Sequence, residues 1–449
     1  MKKIFQYIML AVVTIVMASC TSDIEETTAT TGKSNVQLVV GEFPAFGDSQ
    51  TRAIGTPDEG KTSWAVGDEL ILEIANTSYG RHSATFTYNG KSWELTSGEL
   101  VYLEGDPAYI PHVYYAPNYK WEAGELFLKK GKVAGTDEYI EGKAIITGNG
   151  ETITVSFAEA TRKYSRLRIA TLPNEQITVD TEYFTPAGSS DMEQNGNYTL
   201  TSDEKGNAYL YGTFENNSEV TVKYREAALT TYTFSQATES AKSYALDATV
   251  ISANSAEEIK SAIEQKVADG KTTIRLNLAP NAGTNEFMAI REAIKGAAPN
   301  DLGTIELTII GVETIPEEAF YKMLQLKSVR MSDVKEIKKY AFKECQYLTV
   351  VEAPSLNKLY SGAFKKCDQL SKLTFGPINY ADARNWPIFE YITPNIDLIL
   401  SDYQKEMIET DDYLYTANND RDYAGSDEHN SKNFLGREFK SITCRYPVE

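Results

Sequence analysis

Side chains suited to covalent or metal chemistry are scarce in this chain of 449 residues, which contains 4 cysteines and 3 histidines. Thiols can carry lipid, bind metals or pair as disulfides, and imidazoles transfer protons or bind metals. These residues are Cys20, Cys345, Cys367, Cys444, His82, His112 and His429. No His-x-x-x-His pair occurs, and each histidine is predicted to be a surface or strand residue rather than a ligand.

Carboxylates could also transfer protons or bind metals, but their spacing in this sequence indicates neither function. Asp411 and Asp412 adjoin in sequence, which does not place them on opposite sides of a sugar ring. The loop at 418–428 puts Asp420, Asp422 and Gly425 at positions 1, 3 and 6 of a calcium-loop pattern, but positions 5 and 12 lack ligands, so a solvated acidic loop is favoured. Walker, dinucleotide and Gly-x-Ser-x-Gly motifs are absent from the sequence. We therefore expect no enzyme, no metal and no cofactor.

The composition of the chain restricts the classes of protein to which it could belong. With 42% hydrophobic residues the chain can form packed cores, and its length predicts two or three domains. It has 63 acidic against 44 basic residues, a net charge of −19, which disfavours nucleic acid as a partner. Four cysteines in this length do not make a disulfide scaffold.

Residues 1–19 are predicted to be a signal peptide. Lys2 and Lys3 precede an apolar run that is shorter than the roughly 20 residues a membrane span requires. Small residues immediately before Cys20 resemble the lipobox of bacterial lipoproteins, which implies cleavage before Cys20 and lipidation of its thiol. A plain secretory signal with an incidental cysteine is the alternative.

Residues 20–34 are predicted to be a lipidated flexible tether, because they are rich in Thr, Ser and acidic residues. Asp23, Glu25 and Glu26 resemble the export signal of surface-exposed lipoproteins in Gram-negative anaerobes. An ordinary solvated linker would carry the same charges. The resemblance implies an outer-membrane, lipid-anchored protein exposed at the cell surface.

Residues 35–250 are predicted to be all-β. Short segments alternate apolar and polar residues, as half-buried antiparallel strands do, at 36–40, 70–74, 84–88, 153–157, 208–211 and 220–224. Asn-Gly at 89–90 and at 149–150 predicts type I′ hairpin turns. One elaborated β-sandwich or two packed sandwiches would account for this pattern.

Several segments of this region are similar to the Mfa-like branch of the fimbrillin family: Thr-Arg-Ala at 51–53, Ser-Trp-Ala-Val-Gly-Asp-Glu at 63–69, the hairpin at 88–93, and residues 113–117 and 157–169. The resemblance implies transthyretin-like sandwiches, possible fimbrial assembly by strand exchange, and proteolytic processing at Arg52. An ordinary linker arginine is the favoured interpretation of Arg52. About 200 residues follow the β region, which favours a capping, anchoring or solitary surface role over a shaft subunit.

Residues 303–377 repeat with a period of 22 residues. Phe320, Phe342 and Phe364 each follow an alanine, Leu326, Leu348 and Leu370 come six residues later, and Val329, Val351 and Leu373 come nine residues later. This spacing predicts leucine-rich repeats in which these columns form a shared core, since no unit can bury its apolar face alone.

Residues 251–302 are predicted to be the N-terminal cap of this solenoid. Ser255 and Glu258 form a capping box before a helix that Gly270 ends, and a second helix begins at Asn285. The strands at 274–278 and 305–309 are expected to pair in parallel. The fold class is therefore a multidomain chain, an all-β sandwich followed by an α/β leucine-rich-repeat solenoid.

The Ala-Phe, Cys and Leu columns resemble the BspA-like, Treponema-type leucine-rich repeats of surface proteins, which implies adhesion or ligand binding. Cys345 and Cys367 share one column with Met323. Adjacent rungs lie within disulfide reach, but the methionine indicates that the column takes an apolar filler, so buried thiols are favoured. Cys444 is expected to be buried in the C-terminal cap, residues 378–449.

Charge is distributed unevenly along the chain. Residues 35–250 carry 30 acidic and 17 basic side chains, whereas residues 303–377 carry 9 acidic and 11 basic ones. The basic ones include Lys335, Lys338, Lys339, Lys343, Lys365 and Lys366, which we predict to cluster on outward turns. The net negative charge of the whole chain is therefore compatible with an acidic partner for the repeats, which are themselves nearly neutral.

The leading hypothesis is a lipid-anchored surface protein that binds a host or bacterial surface protein or glycan through its repeats. An accessory, tip or anchor subunit of a fimbria is the alternative, with fimbrial subunits as partners. A surface glycan-binding lipoprotein is the second alternative, and a glycan hydrolase is the least favoured.

Overall fold

The computed structural model describes twelve parts of the chain: residues 27–28, 36–48, 61–76, 80–98, 109–148, 153–157, 162–253, 255–382, 388–392, 395–401, 435 and 439–445. Cys20, Arg52, the loop at 418–428 and His429 lie outside them, as do the whole signal peptide and all of the tether except Thr27 and Thr28. In the described parts the chain is mostly β, with several sheets and two helices. Neither helix is long and apolar enough to cross a membrane.

The first part of the chain is built from strands alone. They are β1 (Thr27–Thr28), β2 (Val36–Val40), β3 (Gly47–Asp48), β4 (Glu69–Asn76), β5 (Gly80–Tyr88), β6 (Trp93–Gly98), β7 (Tyr109–Tyr115), β8 (Tyr119–Glu122), β9 (Glu125–Leu128), β10 (Ile140–Gly142), β11 (Ile145–Gly148), β12 (Ile153–Phe157), β13 (Ser165–Ala170), β14 (Gln176–Pro186), β15 (Glu193–Thr201), β16 (Asn207–Phe214), β17 (Glu219–Tyr224), β18 (Ala227–Thr233) and β19 (Lys242–Asp247).

Three larger sheets and a two-stranded sheet, β8-β9, organise these strands. A four-stranded sheet has the order β1-β2-β12-β11, and a five-stranded sheet has the order β10-β7-β4-β5-β6. Leu38 of the first sheet shares one apolar core with Leu72 and Phe86 of the second. The third sheet runs β18-β17-β14-β16-β13-β19-β3, with β15 paired to β14, and encloses a separate core that includes Phe184 and Phe214.

The predicted hairpin at Asn89 and Gly90 is present, but the predicted turn type is wrong. Tyr88 of β5 pairs with Trp93 of β6, so the loop contains four residues rather than two. Within the loop only Gly90 has a positive φ, 96°. The Asn89 side-chain oxygen accepts hydrogen bonds from the amides of Lys91 and Ser92, at 2.9 and 2.8 Å, and these bonds stabilise the longer loop.

The second part of the chain combines two helices with parallel strands. The elements are β20 (Ile251–Ala253), α1 (Ala256–Ala268), β21 (Thr273–Leu278), α2 (Thr284–Ala297), β22 (Ile305–Ile310), β23 (Thr314–Ile315), β24 (Leu326–Met331), β25 (Glu336–Ile337), β26 (Val350–Ala353), β27 (Lys358–Tyr360), β28 (Lys372–Phe375), β29 (Tyr380–Asp382), β30 (Asp397–Ser401) and β31 (Ser441–Arg445).

Both predicted helices are confirmed. The Ser255 hydroxyl accepts a hydrogen bond from the amide of Glu258 and so caps α1, while Ile259 and Ile263 form its buried face. In α2, Phe287, Ile290 and Ile294 are buried against the same core as the repeats. The helices therefore cover the first rungs of the parallel sheet.

Two parallel ladders form the repeats. The longer sheet has the order β20-β21-β22-β24-β26-β28-β30-β31, and every neighbouring pair in it is parallel. The second sheet has the order β23-β25-β27-β29. Ile337 and Leu359 lie on neighbouring strands of this second sheet. The ladders continue past residue 377 to Arg445.

Candidate binding surface on the repeats

A stack of aromatic rings runs through the middle of the repeats. The ring centroids of Phe320 and Phe342 are 5.1 Å apart, and those of Phe342 and Phe364 are 5.3 Å apart with an interplanar angle of 8°. Phe287 of α2 precedes this stack at 5.6 Å from Phe320, and Phe389 follows Phe364 at 5.6 Å. Because the residues of one column meet those of the next rung, the 22-residue period becomes a continuous core.

The structure places all nine predicted repeat-core residues in one apolar cluster. They are Phe320, Phe342, Phe364, Leu326, Leu348, Leu370, Val329, Val351 and Leu373, each almost completely buried. Side chains that are buried in this way stabilise the fold but cannot contact a partner. Any binding site must therefore be formed by the positions between the repeating columns.

The column three residues after each phenylalanine contains buried thiols. Cys345 and Cys367 are free and fully buried, which confirms the prediction of thiols rather than a disulfide. Their Sγ atoms donate to the carbonyl oxygens of Phe320 and Phe342, at 2.9 and 3.0 Å. Burial raises the pKa of the Cys345 thiol to about 12 and that of Cys367 well above its ordinary value. These thiols are therefore packing groups and not nucleophiles.

Cys444 differs from the prediction. It is only half-buried, on β31, which is the last strand of the longer sheet. A terminal strand has a neighbouring strand on one side only, so its side chains are less covered than those of an inner rung.

Outward-facing residues of the longer sheet form two ladders, which together we call the sheet face. One ladder consists of Glu306, Ser328, Val350, Lys372, Asp397 and Ser441, and the other consists of Thr308, Arg330, Glu352, Thr374, Ile399 and Thr443. The strands alternate buried and more exposed positions, as on β28, where Leu373 is buried and Lys372 is exposed. Apart from Val350 and Ile399, the sheet face therefore displays polar side chains, at the regular spacing of adjacent strands.

Ion pairs connect neighbouring rungs across the sheet face. Lys327 Nζ lies 2.8 Å from Glu306 Oε1, and Arg330 Nε lies 2.9 Å from Glu352 Oε2. These side chains are substantially exposed, so each pair contributes little to stability. A partner with charges of its own can therefore replace them at small cost, which is a useful property in a recognition surface.

The six predicted outward lysines do not form one basic patch. Lys335 pairs with Glu313 at 2.6 Å, and Lys338 pairs with Glu336 at 2.5 Å, both beside the second sheet. Lys365 pairs with Glu390 at 2.5 Å, and Lys343 lies 4.0 Å from Glu344. Lys339 and Lys366 instead lie over the rings of Tyr340 and Tyr391, at 4.8 and 6.0 Å. Four of the six lysines therefore lie beside acidic side chains, and two of these four, Lys335 and Lys365, meet their partners across rungs.

The second sheet has its own charged group. The Glu336 carboxylate accepts hydrogen bonds from Lys338 and Lys358, and these bonds lower its pKa. Lys338 also lies 4.4 Å from the ring centroid of Tyr360. Burial opposes protonation of Lys338, but its bonds to Glu336 and Tyr360 prevail and raise its pKa. This cluster joins two rungs and leaves little free charge for a partner.

Two turn columns require left-handed backbone, which the sequence does not reveal. Glu318 and Tyr340 have φ of 56° and 59°, and Gly362 follows in the same column with φ of 63°. The second column consists of Lys322, Glu344, Lys366 and Tyr391, with φ between 56° and 62°. Non-glycine residues adopt this region at a cost. The repeats tolerate that cost because turn amides bond to the next rung, as those of Glu318 and Tyr340 do to the carbonyl oxygens of Lys339 and Ser361.

The remaining candidate residues do not form a chemical site. His82 lies on β5 and His112 on β7, where the His112 ring is 5.5 Å from that of Tyr114. Within the residues that the structure describes, no group of three or more His, Cys, Asp or Glu side chains could hold a metal ion.

Sequence reasoning missed the repeat columns of an additional rung. Ile378 and Ala381 follow Leu356 and Leu359 by 22 residues, and Phe389 follows Phe364 by 25. All three are buried in the repeat core. An insertion of three residues hides the period at that point, although the columns at 378 and 381 could have been found from spacing alone.

These features define a leucine-rich-repeat module. Residues 302–399 match the model of the BspA type leucine rich repeat region, with six copies. This match supports the resemblance of the repeats to BspA-like proteins. No curated protein matches the chain significantly.

Proposed function

We propose that this protein recognises an extracellular partner, a host or bacterial surface protein or glycan, through the sheet face of its repeats. The observation that carries the proposal is the difference between the buried and the outward positions within each rung. The side chains of the repeating columns are buried in the core. The outward side chains of one ladder differ from rung to rung, as Glu306, Ser328 and Lys372 show. Variable polar positions on a regular scaffold are suited to specific binding rather than to catalysis.

The match to BspA-type repeats supports this proposal, because it indicates a module for protein interaction or adhesion. The exposed ion pairs of the sheet face support it further. They include Arg330, which partners Glu352, and Lys440, whose Nζ lies 3.0 Å from Asp397 Oδ2. Arginine in particular forms directional bonds to carboxylates and stacks on flat groups, so it suits an interface.

The same proposal includes display at the cell surface. Cleavage before Cys20 would leave a lipidated cysteine and a short polar tether, and the β region would hold the repeats away from the membrane as a fimbrillin-like sandwich. The sequence pattern before Cys20 supports this part. Lipid labelling of a Cys20→Ser variant tests it, since loss of the label together with release from the membrane fraction is expected.

A capture experiment tests the binding proposal. The mature protein and a variant with Arg330→Ala, Glu352→Ala and Lys372→Ala are immobilised and exposed to host mucosal extract and to bacterial surface extract. We expect a defined ligand to bind the native protein and to bind the sheet-face variant at least about tenfold more weakly, which is the size expected when interface contacts worth about 1.4 kcal/mol are lost.

A matched control carries the same number of alanines away from the sheet face, at Lys335, Lys343 and Lys366. The proposal requires this control to bind like the native protein. Equal loss in both variants would indicate general damage, and equal retention in both would rule out the sheet face as the binding surface.

A second candidate function, strand exchange within a fimbria, is favoured by the position of β2. This strand precedes Arg52 in sequence, yet it lies between β1 and β12 and contributes Leu38 to the core. Cleavage at Arg52 would separate β2 from the rest of the chain. The exposed edge of β12 would then accept a strand from another subunit.

Cleavage with an arginine-specific protease tests this candidate. Release of residues 20–52 and capture of fimbrial subunits in an SDS-resistant complex would support it, and an Arg52→Ala variant should resist both steps. Cleaved protein that keeps its N-terminal strands and stays monomeric would contradict it.

A further inference from the structure

A polar cleft lies where the third sheet of the β region approaches the first rungs of the repeats. Its volume is about 200 Å³. Leu229 and Thr231 of β18 line one side, while Arg275, Thr308 and Arg330 of the longer sheet line the other. Because Thr308 and Arg330 belong to the sheet face, the cleft forms one end of that surface.

Arg275 is the unusual residue in this cleft. It is 7% exposed, and its Nε donates to the carbonyl oxygen of Leu229 at 2.5 Å. Among the described residues, no carboxylate lies within ion-pair distance of its guanidinium. Burial lowers the pKa of Arg275, and the more distant Asp247 and Glu306 only partly oppose this effect. A buried cation without a direct counter-ion is costly, so the free side of the guanidinium favours an incoming anion.

The carboxylates in and near the cleft are already engaged. Glu306 lines the cleft and pairs with Lys327 at 2.8 Å. Asp247 accepts hydrogen bonds from the amide and hydroxyl of Thr249, at 2.9 and 2.6 Å. The second guanidinium, that of Arg330, binds Glu352 through Nε only. Two arginine side chains therefore line the same cleft with terminal nitrogens available for a ligand carboxylate.

Hydroxyl groups complete the lining. Thr231, Thr273, Thr308 and Ser328 border the cleft, and Thr308 is 4% exposed. Hydroxyls both donate and accept, so they suit a ligand that carries several hydroxyls of its own. The volume is below the 300–1,000 Å³ of drug-sized pockets, which limits the ligand to about one ring.

We propose that this cleft binds a single acidic sugar residue, with its carboxylate on Arg275 and Arg330 and its hydroxyls on the threonines. The inference rests on the proposed function, since it assigns a ligand class to one end of the sheet face. It also assigns a role to Arg275, whose charge otherwise has no direct partner.

Calorimetric titration of the full mature chain tests the proposal. The probes are glucuronate, glucose as the neutral ring, and N-acetylglutamate as an acidic peptide side chain. We expect saturable binding of glucuronate that weakens as salt is added, and binding of the other two probes that is at least about tenfold weaker. Absence of saturable glucuronate binding, or equal binding of glucose, would overturn the proposal. Stronger binding of N-acetylglutamate would overturn the sugar assignment in favour of a peptide.

Substitutions of cleft residues test whether glucuronate binds in this cleft. Arg330→Gln and Thr308→Val should each weaken glucuronate binding by about tenfold, whereas Lys335→Gln, which lies beside the second sheet and away from the sheet face, should leave it unchanged. Unchanged binding in the first two variants would contradict the proposal. Arg275→Lys keeps the charge but loses the paired nitrogens, and it should weaken binding while circular dichroism shows a native fold.

The outcome is separable from the test of the proposed function. Capture of a surface partner through the sheet face, together with a flat glucuronate titration, would refute only the acidic-sugar site. Glucuronate binding without capture of any extract component would refute only the wider recognition role.

Discussion

The β region and the repeats bury very different side chains. Among the described residues, 13 of the 18 buried polar or charged residues lie before residue 250, and they include the ions Glu73, Glu138, Arg162, Arg166 and Arg168. The repeats and their cap bury one ion, Arg275. The β region therefore depends on individual pairings, whereas the repeats depend on columns of equivalent apolar contacts.

The buried ion pair of Arg162 and Glu138 is an example of such an individual pairing. Arg162 forms an ion pair with Glu138, donates to Pro44 O at 3.1 Å, and lies 3.7 Å from the ring centroid of Phe46. Burial raises the pKa of Glu138, although Arg162 acts in the opposite direction. No other position among the described residues repeats this arrangement, so a period in the sequence could not reveal it.

The largest effect is expected from Phe342→Ala. Phe342 is fully buried and stacks on Phe320 and Phe364, so its removal leaves a cavity in the middle of the column. We expect a loss of about 4 kcal/mol in the free energy of unfolding. Hydrogen-exchange mass spectrometry should show faster exchange in residues 303–377 and unchanged exchange in the third sheet. Tyr391→Ala, at a side chain that is 66% exposed, is the control and should cost less than about 0.5 kcal/mol. Equal loss of protection in both regions would contradict the independence of the two cores.

The second-largest effect is expected when the buried ion pair of Glu138 and Arg162 is broken. Glu138→Leu leaves Arg162 buried without its counter-ion, and we expect a cost of about 3 kcal/mol, measured by urea unfolding followed by tryptophan fluorescence. The double variant Glu138→Leu, Arg162→Met removes both charges and should recover more than half of the loss. Failure of the second change to recover stability would mean that the pair is not the cause.

A smaller effect is expected at the turn columns. Gly362 has a φ of 63°, and a Cβ atom there would lie 2.4 Å from Cε1 of Tyr340. Gly362→Ala should therefore lower the midpoint of thermal unfolding, with a cost of about 2 kcal/mol. Lys366→Gly, in the other left-handed column, should instead be neutral or stabilise the chain by about 0.5 kcal/mol. A stabilising Gly362→Ala would show that the turn backbone differs from this description.

The smallest effect at neutral pH concerns the thiols. In a Cys20→Ser variant at pH 8, Cys444 should react with a thiol reagent in the native state. The Cys345 thiol, with a pKa of about 12 against 9.0 for a free thiol, should react on the order of 1,000-fold more slowly than in the unfolded chain. Because folding favours its neutral form, this contribution to stability is fully present below pH 9 and is lost as the pH rises toward 12. Rapid reaction of all three thiols would contradict the closed core.

Prediction from sequence succeeded where structure repeats and where signals are local. The helix capped by Ser255, the strand at 36–40 and the hairpin near Asn89 follow from short-range patterns and are confirmed. The turn type at Asn89 was wrong because side-chain hydrogen bonds, rather than backbone preference, decide that loop. The resemblance of the β region to fimbrillins and the lipidation of Cys20 stay predictions.

The sequence by itself determined the repeating core, because equivalent residues at 22-residue intervals can only be buried by stacking on one another. It also determined that the thiols of Cys345 and Cys367 act as apolar fillers. Only the tertiary structure decided which lysines are neutralised, since Lys335 and Lys365 meet their acidic partners across rungs. It also decided that Arg275 faces a cleft beside Arg330, because residues far apart in sequence come together only when the β region packs on the repeats.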